Sequence, residues 1–316
     1  MKDTTRMATK TDTGSSKSKQ NFVSGIKAFF KELGIVFGAF LVLNSFVLAS
    51  FEVPTGSMEN EIMTGDFLLV NKFVFGGTTP KTVPFTNTKL PAFKLPSLWK
   101  VERGDVIVFM FPGYREEVEA AEFAYYLKRC VAVAGDTLQV INRVVFVNGV
   151  PAPVPTNVKF DHSFMKPAGY ADPRIFPEGA EFNEDNYGPI VIPKKGQVIE
   201  LDVNSFPRWR VFIGREGHIA QLRDDKILID GKEQSSYVVQ RDYVFGMGDH
   251  RDNSLDSRFW GFIPEEAVIG TPLIVYWSWD PAIPFYQRIA DFPYLEFFLK
   301  EKLVSTRMTR FGSLIR

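Results

Sequence analysis

The chain has 316 residues, enough for one large domain or two smaller ones with a substantial core. Its 37 basic and 37 acidic residues balance, so overall charge gives no support for nucleic acid as a partner. A single cysteine, Cys130, excludes an internal disulfide and a metal site built from several cysteines. The 30 Phe, 24 Gly and 20 Pro residues favour a β-rich, loop-rich fold over a helical bundle.

The N-terminal part of the chain predicts a membrane anchor. Residues 1–31 carry seven Lys or Arg and two acids in a Ser/Thr/Lys-rich segment that we expect to be disordered. Residues 33–51 carry no charge, and as a helix they would span about 28 Å, close to the thickness of a hydrocarbon core. Because basic segments that flank a membrane span stay in the cytoplasm, we expect all residues after Glu52 to lie on the other side of the membrane.

A cleavable signal peptide is the competing interpretation, because Val47-Leu48-Ala49 has small residues at cleavage-type positions. The apolar run exceeds the roughly 7–15 residues that are usual in such peptides, and the basic arm is long. A retained anchor is therefore favoured.

Three predicted strands follow the anchor, each beside a Gly-Asp turn. The turns are Gly65-Asp66, Gly104-Asp105 and Gly135-Asp136, and the strands cover residues 67–75, 106–111 and 123–133. Hairpins of this kind are typical of a small barrel or sandwich.

Residues 76–103, between the first two strands, are predicted to be irregular because of their glycines and prolines. Their apolar side chains are unusual for a solvated loop: Phe85, Phe93, Leu95, Leu98 and Trp99. We expect them to cover the core, with contact to the bilayer surface as the alternative.

The pattern changes after residue 136. Residues 138–147 predict a strand that ends at the hairpin signal Asn148-Gly149. A Pro-, Asn- and Asp-rich stretch follows, and residues 227–230 repeat the strand-then-Gly pattern. We interpret this region as a β-rich insertion into the core.

The predicted fold is mainly β: a small β-barrel or sandwich catalytic core with a β-rich inserted domain, preceded by one transmembrane helix. The predicted divisions are a cytoplasmic basic tail (1–27), a transmembrane anchor helix (28–51), the first part of the core (52–136), the insertion (137–236), the second part of the core (237–280) and a C-terminal tail (281–316). Residues 294–304 of the tail favour a short helix. Both packing of the tail on the core and binding of the tail to the membrane surface are open interpretations.

Ser57, in Pro54-Thr-Gly-Ser-Met58, directly follows the apolar run and is a candidate nucleophile. A serine hydroxyl needs a base to take its proton. Of the three histidines, His162 and His218 are interpreted as surface residues. His250 lies in a dense polar run, which allows a Ser57–His250–Asp triad, although nothing local singles it out.

Lys128 is the alternative base. A lysine base must be neutral, so its pKa must fall from about 10.4 to roughly 7–8, which requires burial among apolar groups. Apolar residues flank Lys128 on both sides except at Arg129. Strand alternation sends Lys128 and Arg129 to opposite faces, one toward the core and one toward water. Two exposed basic residues on an edge strand are the competing interpretation.

Five stretches, in order behind the apolar run, carry a resemblance to a known family. They are Pro54-Thr-Gly-Ser-Met58, Gly65-Asp-Phe-Leu-Leu-Val-Asn-Lys72, Gly104-Asp-Val-Ile-Val-Phe109, Leu127-Lys-Arg-Cys-Val-Ala-Val-Ala-Gly-Asp136 and Gly248-Asp-His-Arg-Asp-Asn-Ser-Leu-Asp-Ser-Arg-Phe-Trp-Gly-Phe-Ile-Pro264. Together they resemble the sequence boxes of the type I signal peptidases, the bacterial leader peptidases. The similarity runs from about residue 33 to 280.

The resemblance implies a Ser–Lys dyad. Ser57 matches the nucleophile and Lys128 the general base. The Ser57 backbone N–H and the Thr55 hydroxyl match the oxyanion hole, where the family often has Ser in place of Thr55. Met58 matches a residue that lines the substrate cleft. One departure is Glu59-Asn60-Glu61, which replaces the Pro-Thr that commonly follows the serine-methionine pair.

The resemblance also implies supporting residues. Ser254 matches a serine that orients the lysine amine, and Asp256 and Arg258 match a charge pair that we interpret as structural.

The implied reaction is hydrolysis of exported preproteins at their signal peptides through an acyl-enzyme, with no metal or cofactor. The expected partners are preprotein cleavage segments, the lipid bilayer and the secretion translocon. The expected location is the bacterial inner membrane, single-pass, with the catalytic part on the outer, periplasmic side.

Two other interpretations fit parts of the sequence. Ser97–Lys100 and Ser163–Lys166 fit the Ser-x-x-Lys spacing of penicillin-binding proteins, but no Ser-Asp-Asn or Lys-Thr-Gly partner accompanies them. A membrane-tethered β-rich binding module without catalysis is the non-enzyme alternative. A degenerate relative of that kind would usually lack Ser57 or Lys128, and both are present.

Overall fold

The computed structural model describes residues 14–79, 91, 93–279 and 307–315. Strands dominate this part of the chain, so the mainly β prediction is confirmed. The strands are β1 (Leu48–Glu52), β2 (Asp66–Asn71), β3 (Val106–Met110), β4 (Tyr125–Ala132), β5 (Thr137–Ile141), β6 (Val144–Val147), β7 (Val150–Pro151), β8 (Tyr187–Val191), β9 (Val198–Glu200), β10 (Ala220–Arg223), β11 (Lys226–Ile229), β12 (Lys232–Glu233), β13 (Ser236–Val238), β14 (Tyr243–Met247), β15 (Ile263–Pro264), β16 (Val268–Ser278) and β17 (Ser313–Leu314). The helices are α1 (Gly14–Phe46), α2 (Phe206–Arg215) and α3 (Ser257–Trp260), with 3₁₀ turns at Glu265–Ala267 and Met308–Arg310.

The main sheet has the order β1-β2-β16-β3-β4-β14-β15, and β17 pairs with β16. All of its pairs are antiparallel, and register shifts interrupt β16 opposite both β2 and β3. Such bulges bend a strand and increase its twist, so the sheet curls. The Gly-Asp turns that the sequence predicts bound its strands, and Gly65, Gly104 and Gly135 have φ of +87°, +98° and +91°, a region that favours glycine.

The central strand β3 is buried on both faces and separates two apolar clusters. Val106 and Val108 pack in the cluster that contains Met58, whereas Ile107 and Phe109 pack with Trp260. The segment around residue 58 and the segment around residue 260 are thereby anchored on opposite sides of one strand.

The smaller sheets, β7-β6-β5-β8, β10-β11-β12 and β13-β9, all lie between residues 137 and 238. A buried cluster joins Leu138 and Ile199 of these sheets to Phe245 of the main sheet and to Phe262. The boundaries of the insertion stay a prediction. Helix α2 was not predicted in this region, and it buries Phe206, Phe212 and Ile213.

The predicted single strand over residues 138–147 is wrong, because it is the hairpin β5–β6. The chain turns at Asn142 and Arg143, whose φ values are 48° and 71°. The Arg143 guanidinium stabilises this turn by donating to Asp185 at 2.8 Å. The second turn, at Asn148-Gly149, is confirmed between β6 and β7.

The predicted anchor helix over residues 28–51 begins and ends too late. Helix α1 begins at Gly14, so the expectation of disorder is wrong for residues 14–31. Helix α1 stops at Phe46, and residues 48–52 form β1, which pairs with β2 along its whole length. That pairing satisfies the backbone groups that a helix would otherwise use. None of the helices in the described part of the chain combines the length and apolar character needed to cross a membrane. Residues 1–13 lie outside the described residues.

The irregular segment after β2 covers the core less than expected: Leu95 is half-buried, but three other apolar side chains are mostly exposed. Phe93, Leu98 and Trp99 are 60%, 56% and 58% exposed, while Phe85 lies outside the described residues.

Residues 280–306, which include the predicted helix at 294–304, also lie outside the described residues. Residues 307–315 pack on the main sheet, and Arg310 donates to the fully buried Asp66.

Candidate active site

Ser57 is held at the start of a turn that follows β1. Glu59 N–H donates to the Gly56 carbonyl at 3.0 Å, and Ile62 N–H donates to the Met58 carbonyl at 2.9 Å. Met58 is 1% exposed and packs against Leu68 and Val108 in one apolar cluster. The buried methionine next to Ser57 therefore fixes the position of the turn.

The structure brings Lys128 to Ser57 across 71 residues of sequence. Lys128 lies on β4, paired with Ile107 of β3, and its Nζ donates to Ser57 Oγ at 2.6 Å. Lys128 is 4% exposed and Ser57 is 8% exposed. On β14, Gly246 faces the stem of the lysine, and a Cβ there would lie 3.0 Å from Lys128 Cβ. The absent side chain leaves room for the lysine to reach the serine.

Burial lowers the pKa of Lys128 to about 8. The negative charge of Asp256 raises this pKa, Arg258 lowers it, and Asp249 raises it by a smaller amount. Because burial has the largest effect, a usable fraction of the amine is neutral near neutral pH. A neutral amine 2.6 Å from a hydroxyl is a candidate base for that hydroxyl.

The expectation that one of Lys128 and Arg129 faces water is wrong. Arg129 is 6% exposed and forms a salt bridge with Asp249, with 2.6 Å between Nη2 and Oδ2. It also donates to the Gly104 carbonyl at 2.9 Å. The side chains do alternate, but the second face is covered by the segment after β14. The sequence carried one signal for this partner, because a buried arginine needs a carboxylate and Asp249 lies in the polar run.

Asp256 and Arg258 form a fully buried pair joined by two hydrogen bonds, of 2.9 and 2.8 Å. Burial opposes ionisation of Asp256, but the charge and hydrogen bonds of Arg258 keep its pKa below the usual value. Asp256 also accepts from the backbone N–H groups of Gly248 and Arg258. The pair thus fixes the loop from 248 to 258 beneath Lys128.

Ser254 is buried in this loop, but the expected hydrogen bond to the lysine amine is not formed. Among the described residues its Oγ has no hydrogen-bond partner. A Cβ on Gly248 would lie 2.2 Å from Ser254 Oγ and 2.6 Å from the Ser57 carbonyl oxygen. Only glycine at position 248 allows Ser254 and the Ser57 backbone to approach from either side.

His250 does not form a Ser57–His250–Asp triad. Its Nδ1 lies 3.3 Å from the Gly56 carbonyl oxygen, and its Nε2 lies 2.8 Å from Asp161 Oδ2. The ring therefore has partners other than the Ser57 hydroxyl, which is bonded by Lys128.

Ser57, Lys128, Met58 and the exposed Thr55 line one open cleft of ≈510 Å³. The other lining residues are mostly apolar: Phe51, Glu52, Val53, Pro54, Leu68, Val108, Ala124, Tyr125, Tyr126, Leu127, Asn253 and Leu255. In the part of the chain that the structure describes, no group of three or more His, Cys, Asp or Glu side chains is arranged to hold a metal ion.

Residues 26–277 match the model of the family described as signal peptidase, peptidase S26. The chain belongs to this family. A relative named signal peptidase I from Buchnera aphidicola subsp. Schizaphis graminum is 30% identical over 265 residues, which is 80% of this chain and 77% of the relative. Proteins of the same name from Haemophilus influenzae and Pseudomonas aeruginosa are each 28% identical, covering 85% and 83% of this chain and 74% and 76% of their own.

The signal peptidase family match spans the segments that build the cleft, from within α1 to the penultimate residue of β16. Membership makes the chain a serine peptidase, a hydrolase. The non-enzyme alternative is therefore not needed to explain the boxes in the sequence.

Proposed function

We propose that this signal peptidase removes the signal peptides of exported preproteins with a catalytic dyad of Ser57 and Lys128. The observation that carries the proposal is the 2.6 Å hydrogen bond between Lys128 Nζ and Ser57 Oγ in a buried setting. Burial supplies a neutral amine, and its lone pair can accept the proton of the Ser57 hydroxyl across the same 2.6 Å contact.

The neutral amine of Lys128 takes the proton of Ser57 as Oγ attacks the scissile carbonyl carbon. The resulting ammonium then protonates the leaving amine, and the peptide C–N bond breaks to give an acyl-enzyme. Lys128 next removes a proton from a water that attacks the ester carbonyl carbon. The C–O bond to Ser57 then breaks, Lys128 returns the proton to Oγ, and the signal peptide leaves with a new C-terminal carboxyl group. This sequence requires no metal or cofactor.

The oxyanion that forms in each attack is stabilised by the Ser57 backbone N–H and the Thr55 hydroxyl. Thr55 is exposed on the cleft wall beside Ser57, which supports this role. Met58 lines the cleft floor while anchoring the turn.

Ser254 orients the Lys128 amine during the reaction, and the buried Oγ without a partner supports a hydroxyl that is available for it. Asp256 and Arg258 act structurally, by fixing the loop that carries Ser254.

The substrate binds in extended form along β4. Strand β14 pairs with β4 only from Arg129 onward, so residues 125–128 pair with β3 alone among the described strands. An extended peptide can add to this free edge, with small side chains directed into the apolar cleft. The cleavage site is then delivered next to Ser57.

Helix α1 holds the peptidase at the bacterial inner membrane, with its N-terminus inside and the catalytic part on the periplasmic side. Large apolar side chains of this helix are more than half exposed, as lipid contact would require: Phe29, Phe30, Ile35, Val36, Phe37, Phe40, Val42 and Leu43. The basic residues before the helix favour this orientation. Contact with the secretion translocon stays a prediction.

The test is cleavage of a preprotein by the detergent-solubilised protein, with sequencing of the product N-terminus. Ser57→Ala and Lys128→Ala should each lower the rate by at least about 10³-fold, because the two groups act as a unit. Ser163→Ala and Lys100→Ala are matched controls taken from the rejected Ser-x-x-Lys pairs and should cleave normally. Near-normal cleavage by Ser57→Ala, or loss of activity in either control, would overturn the assignment.

A further inference from the structure

We propose that His250 is a positioning residue for the oxyanion hole: it fixes the Gly56–Ser57 peptide and, through that peptide, the direction of the Ser57 N–H. The inference rests on the proposed role of Ser57. It assigns to His250 a task other than that of a catalytic base.

His250 contacts the backbone on both sides of the Ser57 Cα. Its Nδ1 lies 3.3 Å from the Gly56 carbonyl oxygen, and its backbone N–H donates to the Ser57 carbonyl at 3.1 Å. A carbonyl oxygen can only accept, so Nδ1 is the donor in the first contact. One residue therefore holds the peptide groups that enter and leave Ser57.

The Gly56 carbonyl and the Ser57 N–H belong to one planar peptide unit, and in a trans peptide they point in opposite directions. Fixing the carbonyl therefore fixes the N–H. An oxyanion donor must lie within about 2.7–3.1 Å of the oxygen that it stabilises, so a rotation of this peptide would weaken it. Glycine at position 56 gives this backbone more freedom to rotate, and the Gly56 carbonyl is held from two sides, by Glu59 N–H at 3.0 Å within the turn and by His250 from outside it.

The ring of His250 is itself held from the other side. Its side chain is 3% exposed, and its Nε2 lies 2.8 Å from Asp161 Oδ2. Asp161 belongs to residues 157–161, which we name the strap and which lie in the predicted insertion. The strap pairs with the segment of His250 as a parallel bridge, through Lys159 N–H to the Asp249 carbonyl and Arg251 N–H to the Lys159 carbonyl, each 2.9 Å.

The strap also contacts the three residues at which this chain departs from the family pattern. Lys159 Nζ lies 2.6 Å from Glu59 Oε2, which in turn lies 3.3 Å from His250 Nδ1. Asn60 Nδ2 donates to the Asn157 carbonyl at 3.4 Å, and the Asn157 amide donates to Glu61. The turn that begins at Ser57, which we name the nucleophile turn, is thus connected to the strap by Glu59, Asn60 and Glu61 in place of a rigid proline.

Two substitutions at His250 distinguish the loss of the Nδ1–H donor from the loss of the imidazole ring. In His250→Asn, the amide nitrogen is bonded to Cγ as Nδ1 is, so the donor to Gly56 is kept. In His250→Leu, a methyl group takes that position. With a preprotein peptide we expect His250→Leu to lower kcat by about tenfold or more with KM nearly unchanged, and His250→Asn to recover most of the loss. His218→Leu, at a histidine outside the cleft lining, is the control and should not change kcat.

A peptide aldehyde that forms a tetrahedral adduct on Ser57 gives a readout that general destabilisation would not. His250→Leu should weaken the aldehyde by about the same factor as kcat, while binding of the cleaved product peptide stays unchanged. Equal weakening of both ligands, or full kcat in His250→Leu, would overturn the inference.

Asp161 provides a second test that does not depend on the folding of His250→Leu. Asp161→Ala, at a side chain that is 48% exposed, should lower kcat when His250 is present and have no effect in His250→Asn, which lacks Nε2. The same loss of kcat in both backgrounds would contradict the inference.

The proposed function and the role of His250 can fail separately. If Ser57→Ala cleaves the preprotein at a normal rate, both proposals fail. If Ser57→Ala is inactive and His250→Leu keeps its full kcat, only the role of His250 fails.

Discussion

At Lys128, burial favours the neutral form of the amine, which the proposed mechanism requires. An amine with 4% exposure beside a serine hydroxyl loses the solvation that favours its charged form, and its pKa falls to about 8. At pH 7 about a tenth of such amines are neutral, compared with less than a thousandth at the ordinary pKa of lysine. The buried charges of Asp256, Arg258 and Asp249 adjust this balance but do not reverse it.

The rate of cleavage should depend on pH through this amine. The proposed base is the neutral amine, so kcat/KM should rise tenfold per pH unit below the pKa of Lys128 and level off above about pH 8. The measurement is a pH–rate profile with a short peptide substrate between pH 5.5 and about 10. A profile that is flat from pH 6 to 9 would show that Lys128 is not the base.

For single residues, the sequence predicts the candidate catalytic pair better than it predicts the buried residues around that pair. Ser57 and Lys128 could be identified because the ordered boxes carry them, although their spacing of 71 residues says nothing of contact. The burial of Arg129 could not, because alternation along a strand gives the face and not what covers it. The unbonded hydroxyl of Ser254 depends on a packing distance at Gly248 that no motif encodes.

At the scale of elements, the Arg129–Asp249 salt bridge ties β4 to the loop after β14. Asp249 is fully buried and Arg129 nearly so. Each charge is tolerated in the core because the other compensates for the loss of water.

Asp249→Ala should therefore lower the free energy of unfolding by about 3–5 kcal/mol, because it leaves a buried guanidinium without this carboxylate. Denaturant unfolding followed by tryptophan fluorescence measures the loss. Glu233→Ala is the control, since its pair with Lys226 is exposed and its loss should change the free energy of unfolding far less than Asp249→Ala does. Equal losses in the two variants would mean that the buried pair contributes no special stability.

Most core strands were predictable because their β-forming runs end at glycine turns. The boundary at Phe46 was not, since one uncharged run supplies both the end of α1 and all of β1 except Glu52. Apolar periodicity cannot separate a buried strand from a helix over so few residues. Helix α2 was not predicted because it is only 10 residues long and lies in a region rich in turn residues. It begins at Phe206, and its second residue is Pro207.

In the whole molecule, the cleft is assembled from segments that are far apart in sequence and joined by a continuous core. A buried cluster links the smaller sheets to the main sheet, and the strap links the same region to the nucleophile turn. Residues 307–315 close on β16, where Arg310 neutralises the buried Asp66. The predicted C-terminal tail is thus partly a component of the core, which the sequence left open because its aromatic and basic composition suits a membrane surface equally well.

The exposed apolar face of α1 predicts binding to lipid vesicles. Phe37→Glu with Phe40→Glu should weaken vesicle binding by more than about tenfold, because a carboxylate in hydrocarbon costs about 2.5–3.5 kcal/mol. Both side chains are about 60% exposed, so cleavage of a soluble peptide should not change. Phe164→Glu, at a side chain 68% exposed in the predicted insertion, is the control. Flotation with anionic vesicles measures binding, and unchanged flotation of the double variant would exclude α1 as the membrane contact.

The most direct test of the dyad is to trap the acyl group. The protein is mixed with a preprotein peptide, quenched in acid within one turnover, digested and examined by mass spectrometry. We predict an acyl adduct on Ser57 in the wild type that is absent in Lys128→Ala at the same pH. An adduct on another side chain, or an undiminished adduct on Ser57 when Lys128 is removed, would contradict the account.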